Sequence, residues 1–233
     1  MQLSLPVSLP DDETFVSFLD VDNEFTSSYL QQLLIGNNDL TNPLCYLFGA
    51  RGVGKSHLLF ACCHEANLAD LQSVYLNMSE LRGMPTEVIA SIAEYDLVCI
   101  DNIHDIAGNK EWETALFDLI NQALEKTHKP RVIIAGMASP LALDFTLPDL
   151  VSRLTWGAVF QLPTRNDEQL FNIIQFRLEH RGIEASEECI RFLLTRVDRE
   201  LSNLMAIVND LDTFSLQAKR KLTIPFIKQV LSL

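Results

Sequence analysis

The sequence predicts an α/β fold: a parallel sheet with helices on both faces, followed by a small helical domain. Three observations predict it. Apolar runs of strand length alternate with helical stretches from residue 44 onward. The first such run ends in a glycine-rich loop that opens a helix, and a later run ends in a carboxylate. Alternation of this kind implies parallel strands joined by crossover helices.

The predicted strands are Leu44–Phe48, Val74–Asn77, Leu97–Asp101, Arg131–Gly136 and Ala158–Leu162. The clearest intervening helix is Trp112–His128, where Leu116, Ile120 and Leu124 recur at i, i+4. After Leu162 the strand pattern stops. Asn166 or Asp167 can cap a helix through Leu170, Ile173, Ile174 and Arg177. Ser186 can cap another over Cys189–Arg196. A third runs from about Glu200 to Leu216, and Ile224-Pro225 starts a last short one. The expected domains are an extended tail over 1–13, a nucleotide-binding α/β domain over 14–164 and a helical lid over 165–233.

The loop reads Gly49-Ala50-Arg51-Gly52-Val53-Gly54-Lys55-Ser56, a full match to the P-loop pattern G-x-x-x-x-G-K-[ST]. Its glycines permit a backbone curl that side chains forbid, so successive N–H groups can cradle phosphate at a helix N-terminus. Lys55 brings charge to the β- and γ-phosphates, and Ser56 offers a hydroxyl to Mg²⁺. A chance glycine turn would not be flanked by the strand Leu44–Phe48 and a helix from His57 through Cys63. Asp101, ending the apolar run Leu97-Val98-Cys99-Ile100, reads as the Walker B acid that orients water around Mg²⁺. The next residue in such ATPases is usually a second acid that polarises the attacking water; here it is Asn102, and an amide is no general base. Either Asp101 or another residue suffices to activate water, or the chain holds nucleotide and hydrolyses it poorly; the second is the expectation, with ADP or ATP bound and a diphosphate resident.

The net charge of −13 is unevenly placed. Residues 165–233 carry 10 basic and 10 acidic residues, so residues 1–164 carry the whole deficit. That sign opposes unassisted binding to a phosphate backbone. No apolar run spans a bilayer, and the N-terminus lacks a basic n-region, so a cytoplasmic protein is expected. Cys62-Cys63-His64 lacks the spacing of a zinc site, and buried small hydrophobes are the better reading of the five cysteines.

Family resemblance enters at Ser152-Arg153-Leu154-Thr155-Trp156-Gly157. A Ser-Arg pair before the fifth strand resembles the arginine-finger position of AAA+ ATPases. With the following strand and Leu162-Pro163, it resembles the bacterial initiator DnaA family. Thr14-Phe15-Val16-Ser17-Phe18 is similar to that family's opening motif, and Arg199 falls at its sensor II arginine. The resemblance implies an AAA+ P-loop core with a five-stranded parallel sheet and an all-helical lid. It implies nucleotide contacts from the P-loop through His57, with Phe15, Phe18 and Arg199, and Mg²⁺ held through Ser56 and Asp101. Phe15, Phe18 and Ile174 are candidate base contacts, although core residues show the same pattern.

The departures matter as much. The gap from Asn77 to Asp96 is too short for the initiator's single-strand-binding insertion, and with the sequence stopping at Leu233 the initiator's helix-turn-helix domain is not expected. Met137 stands where an acidic sensor I is usual; Ser139 could substitute only if the loop shifts. The tail Gln2-Leu3-Ser4-Leu5-Pro6-Val7 resembles a sliding-clamp-binding peptide, and Pro6 and Pro10 favour an extended chain that can seat it. Together these features resemble a DnaA-related regulator of replication initiation. Its implied partners are DnaA and the β-subunit sliding clamp of DNA polymerase III, with DNA reached only through the clamp. The implied action is Arg153 offered in trans to DnaA-bound ATP. An autonomous AAA+ motor such as a helicase loader, and a pure adaptor with irrelevant nucleotide, remain the rivals. Oligomeric state stays open between heterologous stacking and a symmetric dimer.

Overall fold

The computed structural model describes residues 10, 12–19, 23–35, 42–125, 130–197, 200–218 and 221–231. The clamp-binding reading of residues 2–7 and the sensor II reading of Arg199 lie outside them. The chain divides into two compact units, Met1–Ala50 with Lys55–Pro163, and Arg51–Gly54 with Thr164–Leu233.

The first unit begins with α1 (Glu24–Ile35), which the sequence reading left unassigned. Then come β1 (Leu44–Phe48), α2 (Lys55–Leu68), β2 (Ser73–Asn77), a short α3 (Met78–Leu81) and β3 (Leu97–Asp101). α4 (Lys110–Glu125), β4 (Arg131–Gly136), α5 (Pro148–Trp156) and β5 (Ala158–Gln161) complete it. The five strands form one parallel sheet in the order β2-β3-β4-β1-β5. The central strands are near-continuous apolar runs because both sheet faces are covered. One face, with Tyr46, Val98, Ile100, Val132 and Ile134, packs on Trp112, Leu116, Leu119 and Ile120 of α4. The alternate residues face α2, where the Cys99 thiol donates to Leu59 O at 3.7 Å. The strand predictions hold to within one residue. Leu162 falls just past β5, but its N–H still donates to Phe48 O at 2.7 Å.

α5 corrects one expectation. From the sequence, Arg153 is expected after a short loop following Pro148 and before the fifth strand; instead Pro148 is the first residue of a helix that contains Arg153. Proline suits that position because its missing N–H is unneeded there. Leu150 and Leu154 of α5 anchor in the core.

In the second unit α6 (Asp167–His180) starts with a reciprocal capping box. Gln169 N donates to Asn166 Oδ1 at 2.9 Å, and Asn166 N donates to Gln169 Oε1 at 2.8 Å. α7 (Glu187–Arg196) is capped by Ser186; α8 (Leu201–Ala218) and α9 (Ile224–Leu231) follow. Leu170, Ile174, Leu178, Leu193, Leu211 and Ile227 are among its core. Ile174 is fully buried there, so the core reading of that residue replaces the base-contact reading. Among the described residues no helix is long and apolar enough to cross a membrane.

Candidate nucleotide site and the Arg153 face

The loop between β1 and α2 curls as its glycines predict, with φ of 157° at Gly49, 76° at Gly52 and 102° at Gly54. Lys55 opens α2 and is only 7% exposed. Its ammonium donates to Gly49 O and Ala50 O, each at 2.7 Å. Burial lowers its pKa from the ordinary lysine value, and Asp101 partly offsets that. A buried cation held by neutral carbonyls has the charge and placement to take a polyphosphate.

Asp101 ends β3 and is almost fully buried. Its Oδ2 accepts from Ser56 Oγ at 2.5 Å and from the Tyr75 hydroxyl at 2.8 Å. Its Oδ1 accepts from Asn102 N at 2.8 Å. Burial and the Asp101 carboxylate both raise the Tyr75 pKa, so the phenol remains a donor. Ser56 and Asp101 are adjacent hard oxygen donors, the chemistry Mg²⁺ takes. Asn102 sits in a left-handed conformation, φ 55° and ψ 40°, which asparagine tolerates well. Its Nδ2 donates to Asn77 Oδ1 at 3.0 Å. The position therefore carries an oriented amide with no basic atom for a water.

The segment around Phe15 and Phe18 lies along α2. His57 Nε2 donates to Thr14 O at 2.9 Å, and its ring meets that of Phe18 with centroids 5.1 Å apart. Two turns on, His64 Nε2 donates to Pro10 O at 2.8 Å. His64 thus faces the N-terminal segment, whereas Cys62 and Cys63 are buried free thiols. Arg51, in the second unit, pairs with Glu200 at 2.9 Å. Met137 and Ser139 follow β4, where Ser139 precedes a 3-10 turn.

On α5 the Arg153 guanidinium lies 5.7 Å from the centroid of the Trp156 ring. Both residues are at least partly exposed. Stacking on an aromatic leaves the N–H edge of a guanidinium able to donate. The C-terminal end of α5 is fixed: Asn42 Nδ2 donates to Trp156 O at 2.8 Å. A Cβ at Gly157 would meet Leu44 O at 2.2 Å.

The family model described as the bacterial DnaA ATPase domain matches residues 9–161. The chain belongs to that family. A second model, for the Hda lid domain, matches residues 167–231, and the two matches together are consistent with Hda. Domain III of the Thermotoga maritima initiator DnaA superposes with a TM-score of 0.78 at 22% identity, covering 96% of this chain and 97% of that one. AMPPCP-bound DnaA from Aquifex aeolicus gives 0.70 at 23% identity, over 91% of this chain and 69% of that one. The Thermotoga maritima RuvB branch-migration motor gives 0.68 at 16%, over 96% and 72%. At such identities the neighbours establish the fold, an AAA+ core with a helical lid.

Within this DnaA-family chain the first unit brings together Lys55, Ser56, Asp101, His57 and Phe18. Sequence reasoning missed three residues. Tyr75 holds Asp101, but only the strand register, with Asn77 beside Asp101, reveals it. Trp156 carries Arg153. Glu113 is a fully buried carboxylate; its signal was a charge three residues before Leu116 on the apolar stripe of α4.

Proposed function

We propose that this protein is a regulator of DnaA that holds a nucleotide without turning it over and activates hydrolysis of the ATP bound to DnaA. In this reading the P-loop binds the phosphates of ADP or ATP, with Lys55 as counter-charge. Ser56 and Asp101 hold Mg²⁺ and its waters, which offset phosphate charge. Phe15, Phe18, His57 and, in the lid, Arg199 complete the nucleotide contacts. The observation that carries the reading is the contrast between Asn102 and Arg153. The residue after the Walker B acid is an amide bound to Asn77, while Arg153 is a partly exposed guanidinium on a helix fixed at its C-terminal end.

Arg153 is the catalytic residue of the partner's reaction. Charge develops on the phosphate oxygens as the γ-phosphoryl group transfers, and a planar guanidinium stabilises it. An arginine supplied in trans accelerates such hydrolysis by about 10³–10⁵, or roughly 4–7 kcal/mol of barrier. Residues 2–7 dock on the sliding clamp as an extended peptide, which brings an acidic protein to DNA. The bound nucleotide is structural.

The test is DnaA ATPase activity on clamp-loaded DNA, with and without this protein, beside the turnover of the protein alone. The proposal expects strong stimulation of DnaA and near-background turnover alone. Turnover alone of order one per second, in the ordinary enzyme range, would point to an autonomous motor instead.

A further inference from the structure

We infer that Glu113 is the positioning residue for Arg153, a buried carboxylate that sets where α5 begins and hence where the guanidinium stands. The inference rests on the finger reading of Arg153 and adds the means by which this chain aims it.

Glu113 lies in the first turn of α4 and is 0% exposed. A carboxylate so placed is costly unless its lone pairs are filled. They are filled by the segment that launches α5. Glu113 Oε2 accepts from Leu147 N at 2.7 Å, Thr146 N at 2.9 Å and Thr146 Oγ1 at 2.8 Å. Oε1 accepts from Gly108 N at 2.7 Å and from Thr146 N at 3.1 Å. Leu147 is the N-cap residue of α5 and has no side chain able to cap. A helix start needs acceptors for its free N–H groups and favours negative charge nearby. Glu113 supplies charge and acceptors to the residues just before the first turn of α5, from another helix.

Arg153 follows Leu147 by six residues, about 9 Å along the axis. α5 is thus held near its start by Glu113 and at its end by the Asn42–Trp156 bond. Leu150 and Leu154 keep α5 in the core, so loss of Glu113 lets the helix re-seat rather than unfold. A displacement of about 1 Å at a transition state can cost roughly 10²-fold. Glutamine keeps the size of Glu113, but its NH₂ would face one of these donors.

The experiment measures Glu113→Gln, Thr146→Val, Arg153→Ala and the double variant Glu113→Gln/Arg153→Ala. Readouts are amide hydrogen exchange, ADP affinity, and the maximal rate and half-saturation of DnaA stimulation. Glu113→Gln should lose exchange protection at Thr146 and Leu147 and keep that of β1, β3 and β4. Its maximal stimulation should fall by roughly 10–100-fold, with ADP affinity and half-saturation unchanged. Thr146→Val, which removes one of the five contacts, should lower the maximum by about two- to fivefold. The double variant should be no slower than Arg153→Ala alone, because both changes act through one group. If Glu113→Gln fails to fold, Thr146→Val alone decides. Parent-like protection and stimulation in the foldable variants, or an additive further loss in the double variant, would overturn the inference. If those variants match the parent while Arg153→Ala is inactive, only the Glu113 claim falls. If Arg153→Ala itself stimulates like the parent, the finger reading falls and this inference with it.

Discussion

The P-loop and α5 are built in opposite ways. At the P-loop Lys55 and Asp101 are enclosed: Lys55 is bound by two carbonyls and Asp101 by Ser56, Tyr75 and Asn102. On α5, Arg153 rests over Trp156 and is partly exposed. The enclosed site has groups suited to phosphate and Mg²⁺, and the residue after Asp101 is an amide. In the proposed reading the Arg153 guanidinium contributes to catalysis on a partner's substrate. A chain with both is suited to hold a nucleotide and act on a neighbour's.

The comparison can be broken most sharply at Arg153. Arg153→Ala should lose about 10³–10⁵ of DnaA stimulation while ADP affinity and melting temperature hold. Arg153→Lys should rescue little, since ammonium lacks the planar fork. Stimulation by the alanine variant at the parent level would reduce Arg153 to a surface group stacked on Trp156.

Lys55 breaks the other side. Lys55→Ala should lose about 2–5 kcal/mol of ADP affinity, the range for truncating one partner of a buried charge pair. The nucleotide-free variant should melt no lower than the parent. The sign follows from the lowered pKa. Between the folded value and 10.5 the unfolded chain binds the extra proton, so stability rises with pH across that window. Below that window the burial penalty is fully present, and removing the amine relieves it. Calorimetry with and without ADP checks both halves.

Gly157 offers a way to disturb the C-terminal end of α5, far along β1 from the P-loop. Gly157→Ala forces a Cβ against Leu44 O, a clash expected to cost about 1–3 kcal/mol. DnaA stimulation should fall while ADP affinity per folded molecule holds. Equal loss of both would mean that the P-loop and α5 are not separable.

The smallest effect on fold stability belongs to the tail. Alanine at Gln2, Leu3 and Leu5 should abolish clamp binding in a pull-down and leave the melting temperature unchanged. Undiminished clamp binding would remove the peptide reading.

Much of the fold was legible because its signals are local. Uninterrupted apolar runs gave the strands, and Asn166 and Ser186 gave the helix starts at which they cap. The P-loop and Asp101 were legible because phosphate chemistry restricts residue types at fixed spacing. What escaped depends on contacts distant in sequence. Tyr75 reaches Asp101 only through strand register, and Glu113 reaches Thr146 and Leu147 across 33 and 34 residues. The helix Pro148–Trp156 escaped because its charged and aromatic residues hide a two-residue apolar anchor, Leu150 and Leu154. Asn102 was read as a lost base; its left-handed backbone adds a conformational reason for asparagine there.

If Arg153 acts in trans, hydrolysis occurs in the partner's site and not in this one. The direct measurement is a single-turnover experiment on clamp-loaded DNA with the γ-phosphate label placed first on ATP bound to DnaA, then on ATP bound to this protein. The account predicts rapid release of labelled phosphate in the first arrangement and background release in the second, with Arg153→Ala abolishing the first. Rapid release from this protein's own nucleotide, with none accelerated on DnaA, would contradict it.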